Sequence, residues 1–168
     1  MHLSIRGEQT DDVAAIARLT KLAFATAEHS SHTEQFIIDA LRRSGQLAIS
    51  LVALEGDEIV GHVAVSPVTI SSGALGWYGL GPISVMPERQ NLGIGSALMT
   101  TALDELRCRG AAGCVLLGDP LYYRRFGFRS HACLQLPGVP PEYFQALALH
   151  GEIAEGAVSY HASFEATC

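Results

Sequence analysis

"RQNLGIGSALM", residues 89–99, sets two glycines, Gly93 and Gly95, one residue apart at the head of an apolar, helix-like run. Three anion-binding loops begin this way. A P-loop needs GxxxxGK[ST]. The chain's one lysine is Lys21, so that loop is excluded. A dinucleotide loop needs GxGxxG close after a strand. Here Leu98 stands at the third glycine position, and seven residues, Met86 to Leu92, separate the preceding strand from Gly93. The third pattern, (R/Q)xxGxG opening a helix, fits Gln90, Gly93 and Gly95. The physics suits a pyrophosphate. A helix starting near Ile94 presents unpaired N–H groups and positive partial charge at its start. Glycines let an anion approach the backbone without Cβ clashes, and Ser96 adds a hydroxyl. So short a pattern also fits a plain glycine turn before a helix.

Around this stretch the apolar periodicity alternates between strand and helix. Residues 2–6 alternate as a strand. "TDDVAAIARLTKLAFATA" carries Val13, Ile16, Ala17, Thr20, Ala23 and Phe24 on one helical stripe, with Thr10 or Asp11 as cap. A second helix is predicted over 33–43, with Phe36, Ile37, Ala40 and Leu41 inward and Gly45 as its stop. "QLAISLVALE" and "EIVGHVAVSPVTI" flank "EGD" as a hairpin. "ALGWYGLGPISVMP" is a glycine-interrupted strand, and its Pro82 argues for an edge or a bulge. A helix follows over 94–109, with Leu98, Ala102, Leu103 and Leu106 buried. Then come a buried strand "GCVLL", a proline-started short helix in "GDPLYYRRFGF", a strand near 132–136, a helix near 141–149 and a last strand "GAVSY". Antiparallel hairpins thus precede a β-α-β unit. That order predicts a mixed sheet with helices on its faces rather than a doubly wound parallel one.

The bulk numbers bound the function. A chain of 168 residues, 48% hydrophobic and 17% charged, has a globular composition and the length of one domain. A formal charge of −6 with scattered arginines argues against nucleic acid as a partner. Cys108, Cys114, Cys133 and Cys168 form no CxxC pair and read as free thiols. "HSSH" lacks the spacing of a zinc helix, so no metal is expected. No apolar run is long enough to span a membrane, and the N-terminus does not read as a signal peptide. The expectation is a cytoplasmic protein, monomer or homodimer, with no membrane partner.

"LGPISVMPERQNLGIGSALM" resembles the strand, loop and helix of the GCN5-related N-acetyltransferase (GNAT) superfamily. "YYRRFGF", about thirty residues on, resembles its second signature, a tyrosine four residues before Gly-Phe. "LLGDPLYYRRFGF" is more similar still to the YhbS-like group within it. The element order matches across the chain, and the specific motifs cover about residues 80–128. The resemblance implies a single acetyltransferase domain over 1–168. It implies a mixed, mostly antiparallel sheet of about seven strands, with helices on both faces and the central strands splayed.

It also implies acetyl-CoA as co-substrate and an amine as acceptor. The backbone of Gln90, Asn91, Leu92, Gly93, Ile94, Gly95 and Ser96 would bind the pyrophosphate. Ile83, Ser84 and Val85 would lie beside the pantetheine, with the Val85 amide polarising the thioester carbonyl and stabilising its oxyanion. Tyr123 matches the family's general acid, which protonates the departing thiolate; without that motif it reads as a core ring packed beside Phe126 and Phe128. Arg124 and Arg125 either approach the adenosine phosphate or form a solvated basic pair. Many members carry an asparagine where Gly118 and Asp119 stand, so Asp119 either meets the coenzyme or caps the short helix. A base for the amine is sought among Glu28, His29, His32 and Glu34, with Glu34 and Glu28 chosen. The implied reaction is direct transfer to a primary amine in a ternary complex. The alternatives are a non-catalytic acyl-CoA sensor and a protein binding another pyrophosphate.

Overall fold

The computed structural model describes residues 2–27 and 30–168. Its elements are β1 (Leu3–Gly7), α1 (Val13–Phe24), α2 (Glu34–Arg43), β2 (Ile49–Glu55), β3 (Glu58–Pro67), β4 (Thr69–Ile70), β5 (Trp77–Val85), α3 (Ile94–Cys108), β6 (Gly113–Leu117), α4 (Pro120–Tyr123), β7 (Leu134–Gln135), β8 (Phe144–Ala148) and β9 (Gly156–Ser159). Hydrogen bonding orders the strands β1-β2-β3-β5-β6-β8 in one sheet and β4-β9-β7 in another. The chain divides into two compact units, 1–65 with 81–103 and 162–168, and 66–80 with 104–161.

In the first unit β1, β2 and β3 are successive antiparallel strands. β3 is buried over seven consecutive residues because helices cover both of its faces. On one face Ile16 of α1 and Ile38 of α2 pack against Val52, Leu54 and Ala64. On the other lies α3. A Cβ on Gly61 would come within 2.9 Å of Ile94 and 3.0 Å of Leu98, so a glycine is needed for α3 to sit this close. Leu98, Ala102, Leu103 and Leu106 are all buried, as their spacing predicts.

The N-terminal helices differ from expectation in two details, the cap of α1 and the inward face of α2. α1 is preceded by a 3-10 turn over Thr10–Asp12, and the capping carboxylate is Asp12, not Thr10 or Asp11. Asp12 Oδ2 accepts the Gln9 N–H at 2.7 Å and an Arg6 N–H at 2.6 Å. The inward residues of α2 are Ile37, Ile38 and Leu41, while Phe36 and Ala40 are only partly covered. α2 stops as its sequence implies: Gly45 (φ +75°) lets the Gln46 N–H return to the Leu41 carbonyl at 2.9 Å.

In the second unit β6 runs parallel to the start of β5 and antiparallel to β8. The predicted helix near 141–149 is absent. Residues 141–143 form a 3-10 turn and Phe144–Ala148 is β8. Phe144, Gln145 and Ala146 are buried in succession, because this strand pairs with β6 on one side and bridges Arg129 on the other. So short an apolar run does not separate helix from strand by period alone. Val68, Trp77, Val115, Phe144 and Val158 belong to the unit's main apolar cluster. Among the described residues there are nine strands where about seven were expected, the extra ones being the short β4 and β7.

Candidate active site

β5 has an interior place in the strand order, yet one flank is largely bare. Its pairing with β6 covers Trp77–Gly79 against Gly113–Val115 and goes no further. The opposite flank faces β3 and its continuation. The Val68 N–H donates to the Trp77 carbonyl at 3.1 Å, and the Met86 N–H donates to the Val60 carbonyl at 2.9 Å. Between these bonds β5 advances nine residues and the facing chain eight. β5 therefore carries a bulge, and Gly81 (φ +138°) and Pro82 stand inside it. The bulge half of the Pro82 expectation holds; the edge half does not.

This register decides which amides are available. Since Met86 points its N–H at β3, strand alternation points the N–H groups of Val85 and Ile83 the other way. The Gln90 side chain confirms the direction. Its Nε2 donates to the Val85 carbonyl at 3.2 Å, tying the loop to the end of the strand. Ser84 has the opposite orientation: its side chain is buried, and its Oγ has no partner.

After β5 a 3-10 turn over Pro87–Arg89 leads into Asn91 (φ +65°) and Gly93 (φ +87°). Arg89 anchors that turn by donating to Glu55 at 2.9 Å. A Cβ on Gly93 would meet nothing within 4 Å, so the glycine serves the backbone angle and leaves the loop mouth open. The Ala97 N–H donates to the Gly93 carbonyl at 3.0 Å. The N–H groups of Ile94 and Gly95 precede it in the first turn, where a helix has no carbonyl of its own to offer. Asn91 and Leu92 are exposed. Thus the first unit brings together Ile83, Val85 and the run Gln90–Ser96 around one set of outward amides, the arrangement that suits a phosphate chain.

The second unit brings together Asp119, Tyr123 and Arg125 on α4 and the turn after it. Asp119 caps α4, its Oδ1 accepting the Leu121 N–H at 2.9 Å. Pro120 then starts the helix without a wasted donor. The half-buried Tyr123 ring lies on Gly118, where any Cβ would overlap it. Tyr122 and Phe128 meet it edge-on, with centroids at 4.9 and 6.4 Å. Burial first, and then Tyr122 and Asp119, push the Tyr123 phenol up to about 12. The group is therefore a protonated donor at neutral pH. Arg125 stacks on Tyr122 at 4.5 Å, and Arg124 is exposed.

Glu34 is the first residue of α2 and accepts from the Ser30 hydroxyl at 2.7 Å. His32 is exposed, in a left-handed conformation. Glu28 and His29 lie outside the described residues. No group of three or more His, Cys, Asp and Glu among the described residues is placed to hold a metal ion. No helix among them is long and apolar enough to cross a membrane. Cys114 is buried, which raises its thiol pKa, and Cys108, Cys133 and Cys168 are exposed and free.

Two features escaped the sequence reading. One is the Gln90 tether, which no local pattern announces. The other is a polar chain through the first unit. Arg42 donates to both oxygens of Glu8, at 2.8 and 2.7 Å. The Ser50 hydroxyl donates to Glu8 at 2.7 Å and stands 2.8 Å from His62 Nε2. Because Ser50 spends its one proton on Glu8, His62 Nε2 must be the donor in that contact. His62 Nδ1 is then a buried acceptor without a partner. Burial, aided by Arg42 and opposed by Glu8, pulls the His62 pKa down to about 4.

With this geometry in hand, relatives are informative. The family model of the acetyltransferase (GNAT) domain matches residues 4–130. The uncharacterized N-acetyltransferase YhbS of Escherichia coli K12 is 33% identical over 168 residues, spanning 95% of this chain and 97% of that protein. A GNAT family acetyltransferase from Brucella melitensis, solved in complex with acetyl-CoA, is 47% identical, with a TM-score of 0.87 over 97% of this chain and 98% of its own. The crystal structure of Escherichia coli YhbS in complex with CoA has 31% identity and a TM-score of 0.89, over 98% and 93% of the two chains. By family model and by relatives alike, the chain belongs to the GNAT family of N-acetyltransferases.

Proposed function

We propose that this protein moves an acetyl group from acetyl-CoA to a primary amine by direct attack within a ternary complex. The observation that carries the reading is the outward set of amides running from Ile83 and Val85 to Gly93, Ile94 and Gly95. A pantetheine amide fits the bare flank of β5 as a strand would, and a pyrophosphate fits the first turn of α3. The relatives solved with acetyl-CoA and with CoA support the same ligand here.

In this reading the Val85 N–H polarises the thioester carbonyl and holds the charge that develops on its oxygen. Ser84 contributes backbone only, since its side chain is buried. Tyr123 gives its proton to the sulfur of the departing coenzyme, a role that needs the phenol protonated. Glu34 takes the proton of the amine, directly or through a water. No exposed thiol is needed, so no acyl-enzyme is invoked. Arg125 offers charge to the adenosine phosphate, and Asp119 acts through the cap of α4.

Titration calorimetry with acetyl-CoA and an assay of free coenzyme A released on a panel of primary amines test this together. Binding with amine-dependent release supports the reading. Binding with no release on any amine leaves the sensor alternative, and stabilisation by NAD or ATP alone ends the transferase case.

A further inference from the structure

A cavity of about 340 Å³ lies wholly within the second unit. Pro120, the first residue of α4, and Arg124, which follows its last, both line it. Phe128 and Gln145 line it as well and are only 0% and 1% exposed, so they form its floor. Arg124, Arg129 and Glu142 are exposed and form its rim. Gln145 sets the chemistry of the floor. Its Nε2 donates to the Gly118 carbonyl at 3.0 Å. A carbonyl oxygen accepts only from the NH2 end of an amide, so this bond settles which way the group lies. Oε1 is the end left over, and it is the polar atom that Gln145 offers to the cavity. Arg129 is half spent in the same way. Its Nη1 donates to the Arg124 and Phe128 carbonyls, at 3.1 and 2.7 Å, which fixes the side chain at the rim. Nε and Nη2 take no part in those bonds. Among the described residues neither guanidinium pairs with Glu142, although all three side chains border one space.

We propose that this cavity is a binding site for a free acidic α-amino acid, its carboxylates on Arg124 and Arg129 and its ammonium between Glu142 and Gln145 Oε1. Charge complementarity selects the class. Two guanidinia and one carboxylate are matched by two carboxylates and one ammonium. The guanidinium–carboxylate bonds are charge-assisted and suit the planar fork of arginine. A phosphate or a plain dicarboxylate would satisfy the arginines but set its oxygens against two acceptors that have no proton to give. A simple amine would satisfy those acceptors and meet like charge at the rim. Phe128 covers the short methylene stem. None of these four polar groups has a part in the transfer reaction described above, so the site is additional to it. It bears on the same helix, since Pro120 and Arg124 bracket Tyr123.

Calorimetry on the full chain, without coenzyme, tests this with L-glutamate, glutarate, inorganic phosphate and butylamine as probes. L-Glutamate should bind saturably, and the other three about ten-fold or more weakly. Arg124 and Glu142 are exposed, so replacing them spares the core. Arg124→Ala should weaken L-glutamate about ten-fold, the loss of one charge-assisted pair. Glu142→Gln removes the charge that repels glutarate and attracts the ammonium. It should shrink the preference for L-glutamate over glutarate to about three-fold or less. No heat with L-glutamate overturns the proposal. So does glutarate or phosphate binding as tightly as L-glutamate, or an affinity indifferent to Arg124→Ala. With coenzyme absent throughout, none of these outcomes bears on acetyl transfer.

Discussion

Arg42 grips both oxygens of Glu8, joining the end of α2 to the residue after β1 across 34 positions of sequence. Burial alone would raise the Glu8 pKa; the bonds from Arg42 and Ser50 outweigh it and hold the carboxylate below its usual range. Arg42→Ala leaves that carboxylate with Ser50 as its one remaining partner among these bonds. We expect a loss of about 2 kcal/mol, since the pair is only partly shielded. In Arg42→Ala/Glu8→Gln the loss should fall short of the sum of the single changes. Urea melts of the three variants measure this.

His62 makes stability depend on pH in a definite window. Its folded pKa, about 4, is below the unfolded value near 6.5. Between these values the unfolded chain holds more protons than the native one. Stability is therefore full above pH 6.5 and declines as the pH falls toward 4, by about 3 kcal/mol at most. Glu8 and Asp12, whose pKa values are lowered, add losses only further into acid. Thermal melts from pH 7.5 to 4 should show the decline, and His62→Gln should flatten its upper part.

Gly93 adopts φ +87° in open space. Gly93→Ala meets no clash, so its whole effect is backbone strain, about 1–2 kcal/mol. If the turn relaxes to relieve it, the amides lose their aim. Acetyl-CoA affinity should fall about ten-fold or more by calorimetry, with the far-UV spectrum unchanged. An unaltered affinity would mean the loop does not hold the pyrophosphate.

Tyr123→Phe keeps the ring on Gly118 and removes only the acid. The turnover number should fall about 10²-fold or more while the acetyl-CoA Kd stays put. Gly118→Ala does the converse: it keeps the phenol but forces the ring aside, and should cost turnover and about 1–3 kcal/mol of stability. With the phenol at about 12, wild-type rates should show no loss from its ionisation below about pH 11.

Local signals in the sequence carried much of this. The stripe Leu98, Ala102, Leu103 and Leu106 has one period and one reading, and α3 is where it says. "GCVLL" is β6 to the residue. Asp119 before Pro120 announces a cap, and it caps. What failed was set by distant partners. Phe144–Ala148 is a strand because β6 and Arg129 flank it, which no nine-residue window contains. Pro82 sits in an interior strand because pairing on one side has already ended at Gly79. The Glu8–Ser50–His62 chain links residues 12 to 54 positions apart, each unremarkable alone. Gly79 reads in the sequence as an interruption of its strand, and it is a seat for Tyr160, as Gly113 is for Trp77 and Gly118 for Tyr123. A ring's partner cannot be named from the glycine beneath it.

The short ladder between β5 and β6 also bears on handling the protein. A strand with unused donors and acceptors along one side is an invitation to any extended peptide, including another copy of the same molecule. A ligand laid along that side acts as a surrogate strand and withdraws the invitation. Self-association on storage should accordingly diminish when coenzyme A is kept in the buffer, as light scattering over days will reveal.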